Sequence, residues 1–372
     1  MKMFRRMLLA GALAAFVLST AWAAEGNRDE GAGNPAAETF VDVAAETASH
    51  EEIEPLAIEF KRLSTLRLDR CGRLLAGDAE AKEIKVISRR GRLIRRIKLD
   101  FGPEAIDVAE NGMIYCGGEG RLAILDSSGQ VCRTVRVPEG AASEITDRRR
   151  RLIEQPIRIS GIAVLRGDVF VAFGSGWSTG SRSKLFRFDR RLGNPQLLAE
   201  DLRGCCQRCD IVARAGVVHL AENSTHRIVR YDRNGEVLGK WGERSRTDVE
   251  GFGSCCNPMN LCFDGRGTLY TAESGLARVK RYTTDGEFLG LVGYIGVERF
   301  TRAGHLAASC SNIAIAVTPN GDRVYAMDVK NNLIRVLQRK YEKDKSPTTR
   351  PGRRIRFFDG RPGGLRGIWR RG

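Results

Sequence analysis

The sequence predicts an all-β protein, a six-bladed β-propeller built from four-stranded antiparallel blades. A unit of four short strands recurs six times, with a period of roughly 40 to 60 residues. Asp-Gly and Asn-Gly pairs supply the positive φ angles that tight hairpin turns need, and no long helical periodicity competes with the strands. A single sheet of this size cannot bury both faces, whereas six sheets packed around an axis can.

The repeat is clearest in the middle of the chain. Residues 214–242 (RAGVVHLAENSTHRIVRYDRNGEVLGKWG) align with residues 265–293 (GRGTLYTAESGLARVKRYTTDGEFLGLVG). Each contains a glycine turn, an apolar strand, a polar loop, an arginine-led strand, a second glycine turn and a last apolar strand. Further copies lie at 71–99, 110–137, 166–198 and 319–340. The propeller is therefore predicted over residues 56–340.

The copy in residues 214–242 resembles an NHL repeat. The resemblance is carried by Glu222, Asn223, His226, Arg227 and Ile228. It implies a propeller fold, and it is weak for function because NHL propellers include protein-binding modules, RNA-binding modules and a lyase.

That lyase holds zinc with several histidines, and this chain has only four: His50, His219, His226 and His305. One falls in a predicted spacer and one in the repeat consensus, which leaves too few for a three-histidine zinc site.

The two ends of the chain differ from the propeller in composition. Residues 1–23 have a basic start, an apolar run and an Ala-Trp-Ala site, the pattern of a signal peptide, so we predict export to the periplasm or the medium. Arg5-Arg6 also fits the twin-arginine route. We predict an acidic disordered spacer at 24–55, a basic Pro/Gly/Arg-rich tail at 341–372, and no transmembrane segment after cleavage.

The last blade has three clear strands and needs a fourth to close the ring. We expect residues 56–63 to supply it, with residues 354–358 as the competing candidate. The strands of a blade are named A to D from the inside outwards. The A–B and C–D turns share one face of the disc, here the turn face, and the B–C and D–A connections share the other, here the loop face.

The loop face is the predicted working face because it carries the long insertions at 138–158, 174–183, 240–255 and 293–309. Its basic and aromatic residues are the predicted ligand-binding set, since guanidinium groups suit carboxylate, sulfate or phosphate. This set is Arg148, Arg149, Arg150, Arg151, Trp177, Arg182, Arg244, Arg246, Arg299 and Arg302.

Seven of the ten cysteines are predicted on one sector of the same face, at the entry to blades four to six. They are Cys205, Cys206, Cys209, Cys255, Cys256, Cys262 and Cys310. Export permits disulfide bonds between the loops, which is the first interpretation. A thiolate site for zinc or an iron–sulfur cluster and a redox-active vicinal disulfide stay open as alternatives.

Oxygen-bearing side chains at the starts of the inner strands are candidates for a calcium site: Glu104, Asp210, Asn260 and Asn312. A metal-dependent propeller enzyme, either a lactonase-like or a lyase-like hydrolase, is therefore the alternative function. The sequence has no phosphate loop or haem motif.

The first interpretation is an exported, monomeric binding module without a required cofactor. The formal net charge of the whole sequence is +16. The arginines of the loop face favour a protein, a peptide or an acidic polymer as the partner, and export argues against nucleic acid.

Overall fold

A computed structural model describes residues 46–141, 157–175, 182–205, 208–245, 247–253, 256–274, 276–296 and 313–341. In these ranges the chain forms six four-stranded antiparallel sheets arranged in a ring, so the predicted six-bladed propeller is confirmed. Six units with the same strand order leave only short sheet edges at the rim. None of the helices in these ranges has the length and apolar character needed to cross a bilayer.

The first three blades follow the predicted repeats. Blade 1 contains β2 (Leu63–Leu68), β3 (Leu74–Asp78), β4 (Glu83–Ile87) and β5 (Leu93–Lys98). Blade 2 contains β6 (Ala105–Val108), β7 (Ile114–Gly118), β8 (Arg121–Leu125) and β9 (Val131–Arg136). Blade 3 contains β10 (Arg158–Leu165), β11 (Asp168–Ser175), β12 (Arg182–Asp189) and β13 (Gln196–Arg203).

The other three blades complete the ring. Blade 4 contains β14 (Ile211–Arg214), β15 (Val217–Glu222), β16 (Arg227–Tyr231) and β17 (Val237–Trp241). Blade 5 contains β18 (Asn260–Phe263), β19 (Leu269–Glu273), β20 (Arg278–Tyr282) and β21 (Phe288–Tyr294). Blade 6 contains β22 (Ile315–Val317), β23 (Arg323–Asp328) and β24 (Leu333–Arg339), with β1 (His50–Leu56) as its outer strand.

The amino-terminal side of the chain closes the ring, as expected, but with an earlier strand than the one predicted. β1 begins at His50, and its register places Ile53 opposite Val336. Glu52 stabilises this pairing because its carboxylate accepts hydrogen bonds from Arg335 at 2.6 Å and from the Gly296 N–H at 2.6 Å. The end of the predicted acidic spacer is therefore part of the sheet, and most of residues 56–63 form the connection to blade 1.

The core lies between neighbouring blades. Middle strands β3, β4 and β19 are buried along their whole length, because each blade packs against a neighbour on both faces. At the rim, the C–D turns of blades 1, 2, 4 and 5 each contact the outer strand of the blade before them. Gly286 in the turn of blade 5 has φ 98° and lies against the Trp241 ring at the end of blade 4, where a side chain would collide with the indole.

Candidate functional site

The inner strands of all six blades line a central channel. At its loop-face end the lining includes Arg67, Glu104, Arg208, Asp210 and Asn260. Glu104, Arg208, Asp210 and Asn260 lie at or near the starts of their inner strands, where the chain enters each blade from the loop face, whereas Arg67 lies near the end of β2. Three of the four predicted oxygen ligands therefore share one channel, and the fourth, Asn312, lies outside the described residues.

The three oxygen-bearing side chains link each inner strand to the next blade. Glu104 accepts the Ile159 N–H at 2.9 Å. Asp210 accepts the Leu261 N–H and the Asn260 side-chain amide, both at 2.7 Å. Asn260 in turn accepts the Ile315 N–H at 2.8 Å. Each donor belongs to the following blade, so these polar residues hold neighbouring blades together.

Calcium takes six to eight oxygen ligands, and the described residues do not complete such a site. The oxygens of Glu104, Asp210 and Asn260 already accept the hydrogen bonds described above, and the cationic side chains of Arg67 and Arg208 line the same space. In the described ranges no group of three or more His, Cys, Asp or Glu side chains is placed to hold a metal ion.

Burial and neighbouring cations act on the two channel carboxylates in opposite directions. Burial raises the pKa of Asp210 to about 7, although the Leu261 N–H and Arg67 oppose the rise. Burial likewise raises the pKa of Glu104, opposed by the Ile159 N–H and by Arg158, Arg208 and Arg62. The channel therefore contains a carboxyl group that titrates near neutral pH.

Three arginines act electrostatically on Glu104 at the mouth of the channel. The guanidinium of Arg158 lies 3.7 Å from its carboxylate, and Arg62 and Arg208 act on the same group. Arg62 is exposed and the other two are half-buried. Arg67 is committed elsewhere, because its Nε donates to Asp107 at 2.6 Å. Sequence reasoning missed this group, since its members come from three different blades.

The predicted ligand-binding residues on the loop face are only partly described. Arg182 begins β12 and lies 3.5 Å from Asp201, while Arg244 is exposed on the connection into blade 5. The remaining members lie outside the described residues: Arg148, Arg149, Arg150, Arg151, Trp177, Arg246, Arg299 and Arg302.

Four of the seven predicted cluster cysteines are described, and all four are buried. Cys205, Cys256 and Cys262 belong to one packing cluster with Met259, whereas Cys209 packs between blades 3 and 4. Asn223 joins the two cysteine-bearing loops, because its side chain accepts the Cys205 N–H at 2.7 Å and reaches the Met259 sulfur at 3.1 Å. Cys206, Cys255 and Cys310 lie outside the described residues.

The described thiols of Cys209 and Cys262 are not disulfide-bonded. Burial raises the pKa of Cys209 to about 12 and also raises that of Cys262. Because the thiolate is the reactive and metal-binding form, these two cysteines act as packing residues. Disulfide bonding within the rest of the cluster stays a prediction.

The described histidines do not converge on the channel. His50 lies in β1 and bonds to the Gly321 carbonyl at 2.9 Å. His226 has φ 58°, in the B–C turn before β16. His219 is buried against the Phe263 ring, and burial lowers its pKa to about 4, which keeps the imidazole neutral.

In four blades a carboxylate at the end of the B strand anchors the entry loop, which is the loop that enters the blade from the loop face. Sequence reasoning identified this carboxylate in one of the four blades only. Asp78 accepts the Arg62 N–H, Glu119 the Gly102 N–H, Glu222 the Arg203 N–H and Glu273 the Gly253 N–H, at 2.8 to 3.0 Å. Glu222 is the acidic residue of the NHL-like pattern, so this consensus position has a structural role here.

Comparisons with known proteins support the fold and give no information on the function. No family model matches the chain and no curated protein matches it, so the NHL assignment stays a prediction. The chain is similar to a gluconolactonase from Xanthomonas campestris (TM-score 0.53, 12% identity, 80% of this chain and 93% of that one). It is also similar to regucalcin, a calcium-binding protein from Agrobacterium tumefaciens (0.50, 14%, 79% and 96%). A third similar structure is virginiamycin B lyase from Staphylococcus aureus (0.45, 14%, 77% and 87%).

Proposed function

We propose that this chain is an exported binding module that holds a small anionic ligand at the loop-face mouth of the central channel. The observation that carries the proposal is the group of arginines around Glu104, to which Arg62, Arg158 and Arg208 each come from a different blade. Guanidinium groups bind carboxylate, sulfate or phosphate through paired N–H donors. A ring of rigid strands keeps these donors in place before a ligand arrives.

Asp210 gives the proposed site a pH dependence. Its carboxyl group lines the same channel as Arg208, and burial raises its pKa to about 7. Below that pH the group gains a proton and one negative charge leaves the channel. An anion is then repelled less, so its affinity should rise as the pH falls from 8 to 6.

Sulfate is a suitable probe because its own charge is constant over this range. Sulfate should raise the thermal midpoint of the wild type by preferential binding to the folded state. The R158Q/R208Q variant should bind sulfate at least tenfold more weakly, since each lost charge-assisted hydrogen bond contributes about 1.5–3 kcal/mol. R166Q is the matched control, because Arg166 is exposed on the turn face of the same blade.

The proposal fails if R158Q/R208Q responds to sulfate as strongly as R166Q does. D210N tests the role given to Asp210, because it removes the titrating group and keeps the shape of the side chain. Sulfate affinity in D210N should not change between pH 6 and 8, and a slope equal to that of the wild type would contradict this part of the proposal.

A metal-dependent propeller hydrolase is the alternative. It draws on the names of the gluconolactonase and calcium-binding neighbours and on the oxygens of Glu104, Asp210 and Asn260 in one channel. Calcium titration of metal-free protein separates the two functions. A rise in thermal midpoint with calcium that D210N abolishes would favour the hydrolase, and a response to sulfate alone favours anion binding.

A further inference from the structure

The outer strands of the adjacent blades 6 and 1 carry opposite charges. In β1 the side chains of Glu51, Ile53 and Glu54 are exposed, with Ile53 39% exposed. In β5 the exposed face presents Ile94, which is 51% exposed, followed by Arg96 and Lys98, and the exposed Arg90 and Arg92 precede the strand. Each strand thus places one exposed isoleucine among charges of a single sign.

Several of these charged groups have no partner among the residues that the structure describes. In the described ranges no hydrogen bond or ion pair involves the charged groups of Glu51, Glu54, Arg90 or Arg92. The acidic outer strand of blade 3 is different, because Glu200 and Asp201 lie near Lys184 and Arg182 of their own blade. Arg96 and Lys98 reach the buried Glu83 while their side chains stay 51% and 71% exposed.

The two strands are neighbours at the rim. Leu56 at the end of β1 lies against Gly91 in the turn before β5, and Leu56 and Leu93 pack on the same core cluster. An outer strand has one unpaired edge, and like charges along it prevent pairing with an identical strand. An edge of opposite charge meets no such repulsion.

We propose that β1 and β5 form an interface between two copies of this chain. Across a twofold axis near the boundary of blades 6 and 1, β1 of one copy lies beside β5 of the other, and the reciprocal pair forms at the same time. Each half then joins the exposed Glu51, Ile53 and Glu54 to Ile94 and the basic residues around it. The proposal departs from the predicted monomer and is independent of the anion site.

Two strand pairs give a small contact, so the dimer should be weak and sensitive to salt. In sedimentation equilibrium, the dissociation constant of the full mature chain should increase at least tenfold between 50 and 500 mM NaCl. Charge reversal gives the decisive test. E51K/E54K makes both strands basic. R90E/R92E places two acidic groups before β5, which offset the charges of Arg96 and Lys98 and remove the attraction to the acidic β1. Each variant alone should therefore be monomeric at low salt.

An equimolar mixture of the two variants should form a one-to-one heterodimer. The acidic β1 of R90E/R92E then lies beside the unchanged basic β5 of E51K/E54K, and the other half pairs two strands whose changed charges no longer repel each other. Circular dichroism and thermal midpoints establish that both variants fold. The proposal is overturned if the wild type stays monomeric at 50 mM NaCl, or if either variant still dimerises alone. It is also overturned if the mixture remains monomeric. If the wild type is monomeric, and R90E/R92E is retained less than the wild type on an anionic polymer column, the basic strand binds an anionic polymer instead of a second copy.

Discussion

Blades 1 and 5 hold their entry loops with the same device and different charges. In blade 1, Lys85 of β4 contacts Asp78 at 2.8 Å and donates to the Glu59 carbonyl of the entry loop. In blade 5, Lys280 of β20 contacts Glu273 at 2.8 Å and donates to the Gly251 carbonyl at 2.6 Å. Both lysines are buried, so each replaces its hydration shell with loop carbonyls and a carboxylate.

The charge balance around the two lysines is different. Lys85 has a second buried carboxylate nearby, since Glu83 lies 3.6 Å away. In blade 5 the only carboxylate in contact with Lys280 in the described ranges is Glu273, and the buried Arg278 shares it at 2.8 Å. Burial lowers the pKa of Lys280 to about 8, with Glu273 opposing the shift and Arg278 adding to it.

In blade 1 the negative charge of Asp78 is well compensated. Burial alone would raise the pKa of Asp78, but hydrogen bonds from Lys85 and from three backbone N–H groups lower it. The comparison teaches that two carboxylates lie beside the one buried cation of blade 1, with Arg96 and Lys98 contacting Glu83 from the surface, whereas two buried cations share one carboxylate in blade 5. The entry loop of blade 5, which contains Cys256, therefore depends on the single carboxylate of Glu273.

The largest expected effect comes from removing that carboxylate. E273Q should lower the free energy of unfolding by about 3–5 kcal/mol, because it leaves two buried cations without an anion. D78N in blade 1 should cost about 1–3 kcal/mol, the range for an unsatisfied buried group, because Lys85 keeps Glu83. Urea denaturation of both variants tests this order, and equal losses would refute the difference in charge balance.

A smaller effect should appear as a pH dependence. Folded protein releases the Lys280 proton near pH 8, whereas an unfolded lysine keeps its proton to about 10.4. The unfolded chain thus binds more protons in this window, so this group makes the free energy of unfolding rise with pH. Between pH 8 and 10 the wild type should gain about 2 kcal/mol relative to K280M.

K85M is the control for this measurement because it removes a buried lysine from blade 1 and keeps Lys280. Its unfolding free energy should follow the slope of the wild type from pH 8 to 10. Parallel slopes for K280M and K85M would show that Lys280 does not titrate in this window.

Local signals in the sequence were sufficient to predict most of the fold. Each repeat unit contains its glycine turns and its arginine-led strand within about 30 residues, so the strands of blades 4 and 5 can be predicted from nearby residues alone. The closing strand was placed too late because β1 is held by pairing with β24, with partners such as Ile53 and Val336 that are nearly 300 residues apart. A short acidic strand has no local feature that distinguishes it from a spacer.

The candidate site was predicted less well for a similar reason. Glu104, Asp210 and Asn260 were identified by their position before inner strands, but their hydrogen-bond partners belong to the next blade. Lys85 was missed because an alternating strand such as EIKVI indicates an exposed lysine, whereas β4 is buried on both faces.

Two of the four anchoring carboxylates, Glu119 and Glu273, do have a signal in the sequence. A Phe-Gly pair in the entry loop precedes an acidic residue at or near the end of the B strand by about 20 residues. Gly102 and Glu119 are 17 positions apart, and Gly253 and Glu273 are 20 positions apart. Because the N–H of each glycine donates to the acid, the pair marks an anchored loop.

The smallest expected effect concerns the aromatic ring beside each lysine, where the two blades should behave alike. Nζ of Lys85 lies 4.4 Å from the Phe60 ring centre, and Nζ of Lys280 lies 4.6 Å from that of Phe252. F60L and F252L each keep an apolar side chain and remove the cation–π contact, which should cost about 1–2 kcal/mol. If urea denaturation gives similar losses of unfolding free energy for the two variants, the difference between the blades lies in their carboxylates. A much larger loss for F252L would mean that the Phe252 ring itself compensates the excess positive charge of blade 5.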